Sequence, residues 1–362
     1  MQKNSAIEKY GVNELIVLLI TILFTGINGL IAFALLMVFS GFNFARDPKN
    51  KHGLSSGKSR LGGVAIFLSV IIGCCSHVLF KDHLNLVFLF SETSQILLSS
   101  LVIGLIGLIE DLKQNFSSFA RLVTMIILVC VSFYLLPNLI PSKLDLFDNF
   151  GLGDSYGVIF IFTVIMVSGF INAGNMADGA NGLLTVIILG FFIVSYSLDN
   201  TIFNFSVVIS LLAFVIFNVS TGRIFLGDFG SYFLSALVAF KSLEFYSSRD
   251  ISVFFLSSLL IYPCFEITRS LIIRTIRSTS VLKPDNNHLH NHINSFLLSL
   301  GYSKHLSNSM TGLGIAFSTT VIPIYLFFSG VPVNSDVWLE VFIVKFLLLL
   351  TIYIYFEKKF SR

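Results

Sequence analysis

The sequence is poor in charged residues: only 12% of its 362 residues are Asp, Glu, Lys or Arg, whereas 55% are hydrophobic. A water-soluble chain of this length needs more polar side chains than that to cover its surface. The 39 Phe residues are spread over the whole length, which excludes a soluble domain held by a single anchor. The net charge of +3 is too small to indicate a nucleic-acid partner. These shortages favour a protein embedded in a membrane.

Cysteine is also scarce, with four residues in the chain. All four lie inside apolar runs, and none has the spacing of a Cys-x-x-Cys or Cys/His metal site. We interpret Cys74, Cys75, Cys130 and Cys264 as small apolar packing residues rather than as metal ligands.

Long apolar runs, by contrast, are abundant. A membrane-spanning helix needs about 20 apolar residues, and no gap between the runs is long enough for a soluble domain. We therefore predict an all-α fold, a polytopic transmembrane helical bundle that forms one domain over residues 1–362. The sequence predicts about eleven spans, at 15–39, 61–80, 95–109, 122–141, 157–171, 183–198, 203–219, 231–247, 251–265, 312–330 and 337–356.

The distribution of Lys and Arg predicts the orientation of the bundle, because loops on the cytoplasmic side carry an excess of these residues. A periplasmic N-terminus and a cytoplasmic C-terminus place sixteen of them inside and six outside. In this orientation the polar clusters all fall on the cytoplasmic side. They occupy the predicted loops 46–63, 110–121, 172–182, 218–231 and 266–311.

The first acidic cluster closes the third predicted span, in GLIEDLKQN. Adjacent carboxylates at a membrane edge, here Glu110 and Asp111, can bind a divalent cation or act as a base. The alternative is an ordinary solvated helix end. Because a helix C-terminus disfavours anions, an acidic pair at this position requires a compensating cation.

A second cluster lies in FINAGNMADGANGLL. Asn172 and Asn175 share a helix face at i,i+3 spacing, and Asp178 follows about one turn later. Gly179 and Gly182 permit tight turning and close approach of a ligand. A plain polar hairpin is the alternative, but a hairpin does not need this row of amides, and polar residues at membrane depth favour function.

The third cluster, in FNVSTGRIFLGDFGSYFL, places Asp228 at the start of the eighth predicted span, with Asn218 nearby in sequence. A helix N-terminus attracts phosphate through its free N–H groups and its dipole. A carboxylate at this position can hold the Mg²⁺ that accompanies a phosphate. The alternative is an Asp–Gly turn without a ligand.

Two further segments are rich in cationic or titratable side chains. Asp285, His288 and His290 lie in PDNNHLHNHI, where alternating histidines can bind zinc. The basic surroundings and the absence of nearby cysteine favour anion binding instead, with histidines as donors to a diphosphate. Arg60 lies in SRLGG, which can bind phosphate or act only as a topology signal. For the histidine segment, the alternative is a solvated loop.

Taken in order, these five segments resemble the polyprenyl-phosphate N-acetylhexosamine-1-phosphate transferase family, over residues 47 to about 301. The resemblance is not complete, since three positions differ from the family pattern. Glu110 replaces the first acid of an Asp-Asp pair, Asn181 replaces the second acid of N-x-x-N-x-x-D-G-x-D-G-L, and Asn291 replaces a histidine of P-D-x-x-H-x-H-H.

The resemblance implies transfer of N-acetylhexosamine-1-phosphate from a UDP-sugar to undecaprenyl phosphate in the bacterial inner membrane, with release of UMP. It implies Mg²⁺ as cofactor, with Mn²⁺ as the alternative, and a role in starting O-antigen, teichoic-acid or a similar envelope polysaccharide. SRLGG and HLHNHI resemble the surface-polysaccharide branch more than the peptidoglycan translocase. The implied partners are the two substrates, the lipid bilayer and a second copy of the chain.

The resemblance also assigns roles to residues. It implies Asp228 as the metal ligand, and Asp111, Glu110 and Asp178 as catalytic groups. It implies substrate binding by Asn172, Asn175, Asn218, Arg60, Asp285, His288 and His290.

Two other functions remain open from the sequence. A transporter or lipid flippase places ionisable residues near the bilayer midplane, often in paired repeats; here the acids cluster at one predicted membrane edge and no repeat is visible. A family member that only binds its lipid is the second alternative, because Glu110, Asn181 and Asn291 depart from the family pattern.

Overall fold

The computed structural model describes residues 16–23, 25–26, 28–42, 45–46, 57–80, 91–113, 117–144, 155–249, 251–278 and 287–360. In these ranges the long regular elements are all helices, and β-type pairing is limited to two isolated bridges. The predicted all-α fold is therefore confirmed. The helices are α1 (16–23), α2 (Asn28–Gly41), α3 (Gly62–Phe80), α4 (Glu92–Lys113), α5 (Ser118–Leu135), α6 (Tyr156–Ala177), α7 (Leu183–Leu198), α8 (Ile202–Thr221), α9 (Gly227–Arg249), α10 (Val253–Leu259), α11 (Ile261–Ile276), α12 (Leu289–Ser299), α13 (Lys304–Phe328) and α14 (Val337–Phe360).

The protein is a multi-pass membrane protein. Six of the described helices, α4, α5, α6, α8, α13 and α14, are long and apolar enough to cross a membrane, and the bent pair α10–α11 makes a seventh candidate. Three shorter apolar helices lie within α2, α3 and α7. Each of the eleven predicted spans overlaps a helix, but their number and the sides of the termini stay predictions.

Helix α9 lies at the centre of the bundle, where it packs against α3, α4, α6 and α7. Every residue from Ser231 to Phe240 is buried, which is typical of a helix enclosed on all sides. Its neighbours approach closely because glycines face it. A Cβ on Gly107 of α4 would lie 2.1 Å from the Asp228 carbonyl oxygen, and a Cβ on Gly63 of α3 would lie 2.1 Å from the Gly230 Cα.

The predicted span 251–265 is not one straight helix. It is divided into α10 and α11, which meet at an angle of 90°. Pro263 lies in the first turn of α11, where its missing N–H cannot continue the hydrogen bonds of α10. Because α11 then runs to Ile276 and α12 follows, the described part of the predicted loop 266–311 is mostly helical.

Lys345 lies in the last span, and its ammonium group is buried where two helices are interrupted. Its Nζ donates to the Ser258 carbonyl at 2.7 Å and to the Thr319 carbonyl. Pro323 lacks the N–H that would otherwise bond to Thr319 in α13, and Ser258 lies in the last turn of α10, where carbonyls lack helical partners. Lys345 therefore donates hydrogen bonds to two backbone carbonyls that have no helical partner, one at the end of α10 and one before Pro323 in α13.

We expect Gly107→Ala to destabilise the protein, because its methyl group cannot fit between α4 and α9 without moving the Asp228 backbone. The expected cost is about 1–3 kcal/mol, measured as a lower thermal unfolding midpoint in detergent. Gly314→Ala in α13 is the matched control, since no atom outside its own helix turn lies within 4 Å of the position that the alanine methyl group would take. The control should be neutral or up to about 1 kcal/mol more stable; equal effects at both sites would contradict the close packing of α4 on α9.

Candidate active site

The start of α9 is held by an extended segment that precedes α3. The Phe225 N–H donates to the Ser59 carbonyl at 2.8 Å, and the Gly62 and Gly63 N–H groups donate to the Phe225 and Leu226 carbonyls at 2.9 and 2.8 Å. This pairing brings Arg60 beside the first turn of α9. Gly227 turns the chain with φ +78°, and a Cβ there would lie 2.0 Å from the Arg60 carbonyl oxygen.

Asp111, at the end of α4, caps the N-terminus of α9 from another helix. Its Oδ1 accepts the Asp228 N–H at 3.1 Å, and its Oδ2 accepts the Phe229 N–H at 2.9 Å. Arg60 Nε lies 3.2 Å from the same Oδ1, and the Asp111 side chain is fully buried. The positive end of a helix and a guanidinium thus provide the compensation that an acid at a helix C-terminus requires.

Asp228 is the next acid of the cluster and lies between two arginines. Its Oδ1 is 2.9 Å from Arg60 Nη2, and its Oδ2 is 3.6 Å from Arg121 Nη1. The same Arg121 nitrogen is 3.9 Å from Glu110 Oε1. We did not predict Arg121 as a site residue, because in the sequence it is only one basic residue at a span boundary.

Asp178 follows α6 and is the third aspartate of the cluster. Burial raises its pKa to about 7, with a further increase from Asp228 and an opposing effect from Arg60. Asn175, one turn earlier, accepts a hydrogen bond from the Ser231 hydroxyl of α9 at 2.7 Å. The ends of α4 and α6 and the start of α9 therefore bring the predicted acids together.

The acidic cluster, defined as Glu110, Asp111, Asp178, Asp228, Arg60 and Arg121, has four acidic and two basic side chains. That balance leaves room for one divalent cation, and carboxylate oxygens are the ligands Mg²⁺ prefers. In the described part of the chain no three His, Cys, Asp or Glu residues already converge on one metal position. The donor chemistry fits Mg²⁺, and Asp228, whose two oxygens face arginines rather than backbone N–H groups, is the acid that can hold it.

A second polar cluster joins α11 to the start of α12. Glu266 of α11 is completely buried and accepts hydrogen bonds from the Leu289 N–H, Tyr262, Arg269 and His288 at 2.9–3.2 Å. His290 Nδ1 lies 3.0 Å from the Tyr262 hydroxyl. We call these residues (Tyr262, Glu266, Arg269, His288 and His290) the histidine cluster.

The two clusters meet at the loop after α6. A Cβ on Gly179 would lie 1.9 Å from His290 Nε2, so this nitrogen faces the backbone beside Asp178. Burial lowers the pKa of His290 to about 3, with a further decrease from the neighbouring His288. His290 is therefore neutral at physiological pH.

Residues 94–246, which include all three clustered aspartates, match the model of glycosyl transferase family 4. This part of the chain is therefore similar to that family. The phospho-N-acetylmuramoyl-pentapeptide-transferase of Staphylococcus epidermidis (strain ATCC 12228 / FDA PCI 1200) is 30% identical over 218 residues, covering 55% of this chain and 66% of the relative. The probable undecaprenyl-phosphate N-acetylglucosaminyl 1-phosphate transferase of Bacillus subtilis (strain 168) is 26% identical over 300 residues, covering 80% and 77%.

The alignment thus spans just under two thirds of the Staphylococcus epidermidis relative. The sequence resemblance to the transferase family is confirmed. The two relatives come from different branches, one with higher identity and the other with longer coverage. The preference for the surface-polysaccharide branch stays a prediction.

The other predicted substrate-binding residues that the structure describes have local partners. Asn172 donates to the Ser168 carbonyl at 2.9 Å and to Met125 Sδ at 3.3 Å. Asn218 donates to the Ile224 carbonyl at 2.7 Å, which supports the segment before α9. Asp285 lies outside the described residues. For Asn172 and Asn218 these contacts add a structural role, and substrate binding stays a prediction.

Asn181, which replaces a family acid, makes hydrogen bonds that connect two helices. The Asn181 N–H donates to Asn308 Oδ1 at 2.5 Å, and its side-chain amide donates to the Ser309 hydroxyl at 3.1 Å. Both partners belong to α13. The amide thus joins the start of α7 to α13.

We expect Asp111→Asn to lower the stability of the protein by roughly 3 kcal/mol, because an amide NH₂ would face a backbone N–H of α9 and leave Arg60 without its buried partner. The thermal unfolding midpoint in detergent measures the effect. Glu340→Gln is the control, since this acid of α14 is exposed, and it should change stability by less than about 1 kcal/mol. Parent-like stability of Asp111→Asn would show that the cap contributes little.

We also expect a pH-dependent difference between the parent and Asp178→Asn in EDTA. The folded pKa of Asp178 is about 7, above the unfolded value of about 3.9, so the folded state binds the proton more strongly. The parent should therefore lose stability relative to the variant as pH rises from about 4 to 7, and the loss should be complete above 7. Thermal midpoints across this range measure the difference, and Mg²⁺ added at pH 8 should reduce it. A difference independent of pH would contradict the buried position of the carboxyl group.

Proposed function

We propose that this protein transfers N-acetylhexosamine-1-phosphate from a UDP-sugar to undecaprenyl phosphate. An oxygen of the lipid phosphate forms a bond to the β-phosphorus of the nucleotide-sugar. The bond from that phosphorus to the bridging oxygen breaks, and UMP leaves with the electron pair. The product, undecaprenyl-diphospho-N-acetylhexosamine, starts an envelope polysaccharide.

The observation that carries the proposal is the acidic cluster at one end of the bundle. Phosphoryl transfer between two anionic reactants depends on positioning and on positive charge near the developing transition state. Arg60 and Arg121 supply that charge beside Asp228. The similarity to glycosyl transferase family 4 supports the same proposal, because both named relatives are transferases.

Asp178 is the residue we assign as the general base toward the lipid phosphate. A base works best when its pKa is near the working pH, and burial raises that of Asp178 to about 7. Asp111, another of the catalytic groups that the resemblance implies, has both oxygens bound to the α9 backbone. We therefore propose that Asp111 positions Asp228 and Arg60.

We propose Mg²⁺ as the cofactor, held by Asp228, with Mn²⁺ as the alternative. A bound divalent cation would polarise phosphate oxygens and offset their charge. Arg60 and Arg121 now bind Asp228, and they would turn to the diphosphate of the substrate. Glu110 keeps Arg121 near the cluster in either arrangement.

We propose that the acidic cluster faces the cytoplasm of a bacterium from its inner membrane, with the N-terminus periplasmic and the C-terminus cytoplasmic. The water-soluble UDP-sugar would then reach the cluster from the cytoplasm, and the lipid would enter from the bilayer. A homodimer is a further proposal that rests on the resemblance alone.

A transporter or flippase is the competing function. Transporters place their substrate sites near the bilayer midplane in discontinuous helices. The acids here lie at helix ends instead: Asp111 near the end of α4, Asp178 directly after α6 and Asp228 at the start of α9. This position favours an enzyme that works at the membrane surface.

The test is UMP release by purified protein in detergent, with UDP-GlcNAc, UDP-GalNAc and UDP-MurNAc-pentapeptide as donors. We expect release from at least one donor only when undecaprenyl phosphate and Mg²⁺ are both present. Asp228→Asn should lower the rate at least about 100-fold, as expected for the loss of an essential charged group. Asp336→Asn, an acid just before α14 and away from both clusters, is the control and should match the parent.

Silence with every donor would favour the transporter or the lipid-binding alternative. Parent-like activity of Asp228→Asn would contradict the assigned site even if the protein is a transferase.

A further inference from the structure

The histidine cluster contains a hydrogen-bond chain whose directions are fixed by its chemistry. Glu266 Oε1 lies 3.0 Å from the Tyr262 hydroxyl, and that hydroxyl lies 3.0 Å from His290 Nδ1. Tyr262 has one proton, so it can donate to only one of these neighbours. The direction of the chain therefore depends on which neighbour receives that proton.

Glu266 is an ionised acceptor. Arg269 donates to its Oε2 through Nε and Nη2 at 3.2 and 2.9 Å, and the Leu289 N–H donates to its Oε1 at 2.9 Å. A carboxylate that receives all these donors has no proton to give. If Tyr262 donated to His290, two oxygen acceptors would face each other at 3.0 Å inside the protein. Tyr262 therefore donates to Glu266 and accepts from His290.

We propose that Glu266, acting through Tyr262, is a positioning residue that fixes His290 as the Nδ1–H tautomer, so that its unprotonated Nε2 accepts a hydrogen bond from a hydroxyl or amide N–H of the nucleotide-sugar. The part that concerns the substrate rests on the proposed function; the tautomer does not. The protonation of one ring nitrogen of a histidine is set by the hydrogen bond that the other one makes.

The surroundings of Nε2 agree with this assignment. Nε2 faces Gly179, next to Asp178, where any larger residue would collide with it. The ring of His288 is parallel to that of His290, at 5.2 Å and 7°. His288 Nδ1 lies 2.9 Å from Glu266 Oε2 and 3.1 Å from Arg269 Nη2. Because Arg269 Nη2 already donates to that carboxylate at 2.9 Å, a proton on Nδ1 can bond to Glu266, and His288 keeps the same tautomer without Tyr262.

The chemistry expected of these histidines changes accordingly. Donors to a diphosphate need an N–H that faces the phosphate, whereas a neutral histidine with its proton on Nδ1 presents a lone pair at Nε2. A lone pair favours hydroxyl and amide groups and is repelled by phosphate oxygens. The diphosphate is left to Arg60 and Arg121 of the acidic cluster.

Nuclear magnetic resonance of the whole chain with isotopically labelled histidine, in nanodiscs, tests the tautomer. The chemical shifts of the ring carbons and nitrogens distinguish the Nδ1–H tautomer from the Nε2–H tautomer. The His290 signal is identified as the one that is missing from the spectrum of His290→Gln. We expect Nδ1–H at His290 in the parent. Tyr262→Phe should shift His290 toward the Nε2–H form, while His288 in the same spectrum keeps its tautomer.

Tyr353→Phe is the matched control, because this hydroxyl bonds Arg269 and Asn287 in the same region, and it should leave the His290 signal unchanged. An Nε2–H signal in the parent would overturn the inference, and so would an unchanged His290 in Tyr262→Phe. If Tyr262→Phe does not fold, the parent spectrum alone decides the tautomer.

Kinetics test the link to substrate. Tyr262→Phe should raise the KM for the UDP-sugar about tenfold, the effect of one lost hydrogen bond, with little change in kcat. Tyr353→Phe should change neither. An unchanged KM in a Tyr262→Phe protein with an altered tautomer would overturn the substrate contact. A parent with no turnover would instead overturn the proposed function and leave the tautomer result intact.

Discussion

The structure depends on one buried interaction, between the carboxylate of Asp111 and the first N–H groups of α9. A buried carboxylate is costly unless donors surround it. Here the end of α4 meets the start of α9, and Arg60 completes the environment from the segment before α3. This interaction fixes Asp228, which is the first acid of α9 and the centre of the site. The interaction requires α4 and α9 to approach closely, and glycines that face α9 permit this. A side chain at Gly107 would push the two helix ends apart.

The same constraint explains why the acids and arginines of the acidic cluster lie together at one end of a largely apolar bundle. Helix termini are where backbone N–H and carbonyl groups lack partners. Charged side chains satisfy these groups without adding polar atoms in the middle of the membrane. The site is therefore built at the places where a helical bundle already requires polarity, and a phosphorylated substrate can use the same charges. The histidine cluster repeats this design, because Glu266 of α11 accepts the Leu289 N–H at the start of α12.

Much of this could be predicted from the sequence, because the signals are local. Apolar runs indicated the helices, and the positions of Asp111, Asp178, Asp228 and Arg60 in loose motifs placed them in one site. What could not be predicted depends on contacts between distant segments. Arg121 and Glu266 looked like ordinary charged residues at span ends, and only the folded chain brings them to Asp228 and His288. The break before α11 was missed although Pro263 was a local signal for it.

The central claim is that the acidic cluster catalyses phosphoryl transfer at the β-phosphorus of a nucleotide-sugar. The most direct measurement uses a UDP-sugar radiolabelled at the β-phosphorus, together with undecaprenyl phosphate, and follows the label after solvent extraction. We predict label in the lipid fraction and unlabelled UMP in water, in the parent but not in Asp178→Asn. Label that remains in a water-soluble nucleotide while sugar enters the lipid would contradict the claim, because the reaction would then be glycosyl transfer at the sugar carbon.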